Sequence, residues 1–147
     1  MDRFDCLACG PLASRDPYSP FCPGCGEPLF VSAAPRPGGR RIREDRSPAL
    51  EQFLDFLPLD RIDPALSLGE GSTPLVRLER LGRGLGLPSL YAKNEAQNPT
   101  GSFKDRGTAV AVQKAVALGA ERIGTVSTGN MAASTAAYGA RAGLETT

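Results

Sequence analysis

Residues 108–118 constrain this chain more than any other stretch. Ala109, Val110, Ala111, Val112, Ala115, Val116, Ala117 and Leu118 make the run apolar nearly all round at helical spacing. A helix without a polar face must lie buried between layers. The helix that follows Lys104 would be about 21 Å long at 1.5 Å per residue, and Gly119 stands where a C-terminal glycine belongs. Half-apolar runs at 90–93 and 122–126 suit strands, and residues 131–142, closed by Gly143, suit a second helix. Strand alternating with helix predicts an α/β fold, a parallel sheet with helices on both faces.

A Pro/Gly-broken polar loop, residues 95–103, leads into the first helix and delivers Lys104 to its N-terminus, facing a cleft. A lone lysine is ordinarily a solvated surface residue. At a helix N-terminus the partial positive charge of the unpaired N–H groups disfavours an ammonium, and partial burial acts the same way. A neutral lysine can form a Schiff base with a carbonyl compound. Residues 127–130, Ser-Thr-Gly-Asn, lie between the second strand and the second helix. A glycine turn there presents backbone N–H groups and two hydroxyls to one point, an anion site open to phosphate or carboxylate. An ordinary capped turn is the alternative.

All four cysteines fall in the first 25 residues, as Cys6-x-x-Cys9-Gly10 and Cys22-x-x-Cys25-Gly26. Two such knuckles supply four thiolates that can close tetrahedrally on Zn²⁺, each glycine permitting the tight turn that aims N–H groups at sulfur. Two disulfides are disfavoured in a reducing cytoplasm. A redox pair is disfavoured because neither knuckle opens a helix in a βαβ setting. Four protein ligands leave no open position, so the expected site is structural.

Composition excludes some chemistry. The chain has 147 residues and no histidine, which removes Ser/His and Cys/His catalysis and His-containing metal sites from it. With 41% hydrophobic residues, 22% charged and a net charge of +1, nothing demands nucleic acid or an acidic surface as partner. No apolar run reaches the roughly 18 residues a membrane span needs, and residues 1–5 lack the core of a secretory signal. A cytoplasmic protein without membrane contact is expected.

Residues 33–46, with Pro35, Pro37, Gly38, Gly39 and a basic run of Arg40, Arg41, Arg43 and Arg46 interrupted by Glu44 and Asp45, have the composition of a solvated linker. The expected organisation is a zinc-ribbon-like segment over 1–32, this linker, and a catalytic portion over 47–147. Ser47 and Pro48 suit the N-cap and first position of a short helix whose apolar face is Phe53, Leu54, Phe56 and Leu57, ended by Pro58. Gly82, Gly84 and Gly86 resemble half of a dinucleotide fingerprint, but no fitting strand and helix flank them, and a flexible turn is predicted.

The ten residues 98–107, Asn-Pro-Thr-Gly-Ser-Phe-Lys-Asp-Arg-Gly, resemble the cofactor-lysine segment of the pyridoxal-phosphate enzymes of fold type II, most closely the threonine synthase family. Residues 69–75, Gly-Glu-Gly-Ser-Thr-Pro-Leu, resemble a segment that precedes the lysine in that family, and 127–130 resemble its Ser-x-Gly-Asn loop. The cysteine knuckles match a ribbon that some of its members carry in front. The resemblance implies that Lys104 binds pyridoxal 5'-phosphate covalently and, once freed by substrate, moves protons at the substrate α and β carbons. It implies that Ser127, Thr128 and the local amides, including that of Gly129, hold the substrate α-carboxylate, and that Asn130 hydrogen-bonds the cofactor's ring hydroxyl oxygen.

The implied reaction converts O-phosphohomoserine and water to threonine and phosphate, and the implied assembly is a homodimer. The family's phosphate loop, the group facing the pyridine nitrogen and the second domain have no counterpart among these residues, so an N-terminal piece of a longer protein is expected. Two other readings stay open. One is another fold type II enzyme, a threonine or serine dehydratase or a cysteine-synthase-like enzyme. The other is a zinc-ribbon interaction module with an inactive catalytic segment.

Overall fold

The computed structural model describes residues 3–12, 16, 19–32, 42 and 49–147. The linker expected over 33–46, apart from Ile42, and the cap expected at Ser47 and Pro48 lie outside the described residues.

Strands β1 (Arg3–Cys6), β2 (Gly10–Leu12) and β3 (Leu29–Ser32) form an antiparallel sheet in the order β2-β1-β3. Phe4 stands opposite both Leu12 and Val31. The first knuckle is the turn between β1 and β2. The second, before β3, is closed by the Cys22 N–H on the Glu27 carbonyl at 2.8 Å and the Gly26 N–H on the Cys22 carbonyl at 2.9 Å. Gly10 and Gly26 take φ of +81° and +77°, the left-handed conformation expected of a knuckle glycine.

A short helix α1 (Ala49–Gln52) and a single 3-10 turn (Leu54–Phe56) follow. Leu54 is buried there, while Phe53 and Phe56 are exposed. A second 3-10 turn (Pro64–Leu66) is capped by Asp63, whose side chain accepts from the Ala65 N–H at 2.9 Å. That turn sits across the two long helices, α3 (Lys104–Ala117) and α4 (Asn130–Ala142). Buried Gln113 of α3 closes a two-way bond with the Asp63 backbone, accepting at 3.0 Å and donating at 2.8 Å. Arg141 of α4 donates to the Ala65 carbonyl at 2.7 Å.

Strand β4 (Leu75–Arg77) pairs antiparallel with β5 (Tyr91–Lys93), Val76 opposite Ala92. Between them lies helix α2 (Glu79–Gly84), where the glycine-spaced segment was expected to be a flexible turn. The correction has a steric cause. A Cβ on Gly82 would stand 2.4 Å from the Leu87 carbonyl oxygen, so glycine lets the chain fold back onto the helix, and the Leu87 N–H bonds the Gly82 carbonyl at 2.8 Å.

Strands β6 (Arg122–Ile123) and β7 (Glu145–Thr146) are parallel, joined through α4 in a βαβ unit. The ladder runs on at both ends, through Glu145 N–H to the Glu121 carbonyl and Thr125 N–H to the Thr147 carbonyl, each at 3.0 Å. Helix α4 ends at Gly143 with φ +70°. The core lies between α3 and α4 around Ala109, Val112, Tyr138 and Leu50. The buried face of α3 also carries Asp105, Thr108 and Gln113, whereas Ala111, Val116 and Leu118 are exposed. The run expected to be buried all round therefore buries one side, chosen by 3.6-residue spacing rather than by apolarity. Among the described residues no helix is long and apolar enough to cross a membrane.

Candidate active site and candidate metal centre

The loop that carries Lys104 is closed at its base. Glu95, at its start, accepts two hydrogen bonds from Arg106 at its end, and a third from Thr73 Oγ1 at 2.8 Å. The Arg106 guanidinium, then the Thr73 hydroxyl, hold the Glu95 carboxyl down at about 2. Buried Asn98 donates to Glu95 Oε2 at 3.0 Å and accepts from the Gly71 N–H at 3.0 Å, tying the 69–75 segment to the loop. Gly101, at φ +80°, makes the last turn before the helix.

Lys104 is the first residue of α3 and is half-buried. Its N–H bonds Ser102 Oγ at 3.2 Å, and its Nζ lies 4.6 Å from the centroid of the Phe103 ring. Among the described residues Nζ has no hydrogen-bond acceptor and no carboxylate partner, so the amine is available to a carbonyl carbon. Lys104 and Thr108 share a face of α3, one turn apart. Thr108 reaches Met131, in the first turn of α4, at 3.9 Å. The lysine therefore stands on the side of α3 that meets the N-terminus of α4.

That N-terminus is open. Gly129 is the cap residue, with no side-chain cap bond, and the N–H groups of Asn130, Met131 and Ala132 have no acceptor among the described residues. Three N–H groups without acceptors stand at the positive end of a 13-residue helix, where an anion could accept from them. Ser127 is half-buried, and its Oγ accepts from the Gly129 N–H at 3.2 Å. Thr128, Gly129 and Asn130 are exposed. The contact between Thr108 and Met131 thus puts the Lys104 side of α3 against the first turn of α4, with no direct bond between Lys104 and that turn.

Two buried carboxylates went without a role in the sequence reading. Glu70 Oε2 accepts from Ser67 Oγ at 3.0 Å, the Leu68 N–H at 3.1 Å and Tyr138 Oη at 2.8 Å, which fastens the 69–75 segment to α4. Burial, then the Glu70 carboxylate, pushes the Tyr138 phenol well above its ordinary range. Asp105, fully buried, bonds both Thr100 and Ser134. The available signal was their position inside the two matched segments. Their partners, 68 and 29 residues away, have no local pattern.

The sulfurs of Cys6, Cys9, Cys22 and Cys25 lie within 4.8 Å of one another, with Cys6 and Cys25 3.5 Å apart. Tetrahedral zinc with bonds of about 2.3 Å places its sulfurs about 3.8 Å apart, so this donor set can close on one ion. Backbone N–H groups of Gly24 and Cys25 aim at the Cys22 sulfur and hold that thiol down at about 7. Hydrogen bonding to the Cys25 and then the Cys22 sulfur pushes Cys9 up to about 12. Metal ligation needs thiolates, so a dication bound by these sulfurs would displace their protons.

A match to the protein family described as pyridoxal-phosphate dependent enzyme covers residues 66–147, more than half of the chain. The chain belongs to the pyridoxal-phosphate-dependent enzyme family, with the α/β fold of type II. Within it the similarity is to threonine synthases. The chain is 41% identical to the threonine synthase of Methanocaldococcus jannaschii over 94% of its own length and 35% of the relative's. It is 36% identical to that of Methanosarcina acetivorans over 98% of its length and 36% of the relative's. To that of Halalkalibacterium halodurans it is 53% identical, over 65% of its length and 27% of the relative's. The chain spans about a third of the length of the first two relatives.

Proposed function

We propose that the full gene product is a threonine synthase, a pyridoxal-phosphate-dependent lyase that converts O-phospho-L-homoserine and water to L-threonine and phosphate. The observation that carries this reading is the unpaired Lys104 amine beside the open N-terminus of α4. Similarity to threonine synthases over nearly the whole chain supports the choice of substrate.

Lys104 would hold the cofactor covalently through Nζ, and Asn130 would donate to its ring hydroxyl oxygen. When bound, the cofactor supplies a conjugated sink for the electrons of a substrate carbanion. Ser127, Thr128 and the N–H groups at the start of α4 bind the substrate α-carboxylate and orient the α-carbon toward Lys104. Lys104 Nζ, as a free amine, would accept and return protons at the substrate α and β carbons. Zinc on Cys6, Cys9, Cys22 and Cys25 is structural and makes the segment over 1–32 a separate ribbon, linked through 33–46 to the catalytic portion. The protein works in the cytoplasm as a homodimer on a small amino-acid substrate, without nucleic acid or membrane as partner.

Lys104→Ala in the full gene product is expected to abolish phosphate release from O-phosphohomoserine. A variant that kept full turnover would refute the assignment. Ammonia release from threonine, exceeding phosphate release from O-phosphohomoserine in the unaltered protein, would transfer it to a dehydratase.

A further inference from the structure

We propose that Asp105 is the positioning residue that sets Lys104 against the anion receptor of α4, an inference that rests on the function proposed above. Asp105 Oδ2 accepts from the Thr100 N–H at 2.7 Å. Its Oδ1 accepts from Thr100 Oγ1 at 2.5 Å and from Ser134 Oγ at 2.7 Å. Asp105 and Ser134 are both fully buried. Among the described residues no cation touches this carboxylate, so three hydrogen bonds alone hold it in the interior.

The consequence follows from helical geometry. Successive residues of an α-helix are separated by about 100° of rotation, at 3.6 residues per turn. Pinning Asp105 therefore fixes the phase of α3, and with it the direction in which Lys104, its immediate neighbour, leaves the helix. Ser134 lies four residues after Asn130, on the same face of α4, so the Asp105–Ser134 bond also fixes the phase of the helix whose first turn forms the receptor. Thr100 holds the loop ahead of Lys104 in the same register. One carboxylate thus orients the lysine loop, the lysine helix and the receptor helix together, without contact with the substrate. In a site that works by near-attack geometry, a displacement of about 1 Å costs up to about 10²-fold in rate.

The test uses the full gene product loaded with pyridoxal 5'-phosphate. Thr100→Val and Ser134→Ala each delete one hydroxyl donor to Oδ1, and Thr100→Ser restores the first. The readouts are the cofactor's visible absorbance and the pH midpoint of that band, the thermal midpoint, and kcat and KM for O-phosphohomoserine. Positioning predicts full cofactor loading in Thr100→Val and Ser134→Ala, a band midpoint moved by about half a pH unit or more, and kcat lowered about tenfold with KM within about twofold. Thr100→Ser is expected to match the unaltered protein in every readout. Variants that lower only the thermal midpoint, with the band midpoint unmoved and kcat within about twofold of the unaltered protein, would overturn the inference and leave the proposed function standing. Borohydride reduction followed by peptide mass gives the separate control. An unaltered protein that carries no cofactor on Lys104 would overturn both.

Discussion

Arg106 grips Glu95 with two parallel hydrogen bonds, Nε to Oε2 at 2.7 Å and Nη2 to Oε1 at 2.8 Å, and so joins the two ends of the lysine loop. A planar fork suits this pairing and an ammonium does not. Arg106→Lys keeps the charge and loses the second bond. It is expected to lower the thermal midpoint and to raise amide exchange across residues 96–103, while exchange in α4 stays unchanged. Equal exchange in both proteins would show that the loop is held by Asn98 and Asp105 alone.

The same pair gives an acid signature. Glu95 is held at about 2, against an ordinary 4.5, by Arg106 first and Thr73 next. Its folded value is depressed, so its contribution to stability is complete above about 4.5 and is lost as pH falls through about 2. Glu95→Gln lacks that titration. Denaturant midpoints followed from pH 7 to pH 2 are expected to fall less steeply in the variant below about 4.5. Parallel acid limbs would remove Glu95 from the account.

Tyr138→Phe deletes the donor to Glu70 Oε2 at a site with no exposure. Leaving that oxygen one partner short is expected to cost about 1–3 kcal/mol in denaturant unfolding. The Tyr138 phenol is raised in the folded state, so its stabilisation is complete below the ordinary tyrosine value of about 10 and declines above it. The phenylalanine variant is expected to lose that alkaline decline.

Two glycines in α2 separate close approach from mere flexibility. Gly82→Ala puts a Cβ 2.4 Å from a backbone oxygen and is expected to destabilise by about 1–3 kcal/mol. Gly84→Ala meets nothing within 4 Å and is expected to stabilise by up to about 1 kcal/mol. Equal effects in urea unfolding would contradict the packing described for α2.

Stoichiometric zinc, one ion per chain, is expected in protein purified without chelator. Cys22→Ser is expected to lose it, and amide protection of β1–β3 with it, since the four sulfurs converge on one point. Retained protection after metal removal would assign the sheet's stability to its own ladder.

The helices and their ends were legible because they depend on local rules. Gly119 and Gly143 mark the ends of α3 and α4, and both take the left-handed conformation there. The cysteine spacing, likewise local, foretold the convergence of four sulfurs. Pairing was less legible. Nothing in 75–77 or 91–93 states that these strands run antiparallel, since direction depends on the chain between them, and there α2 forms where a turn was expected. The site divided in the same way. Lys104 and residues 127–130 stood out by type and setting, whereas Asp105 acquires its part only when Ser134 arrives from another helix.

Tyr138 closes its bond to Glu70 across 68 residues of chain. At roughly 5–20 residues per second of synthesis, the tyrosine leaves the ribosome roughly 3–14 s after the carboxylate. For that interval Glu70 has its neighbours Ser67 and Leu68 but not its partner on α4. The bond that fastens the 69–75 segment to α4 can therefore form only after the whole lysine loop has been synthesised.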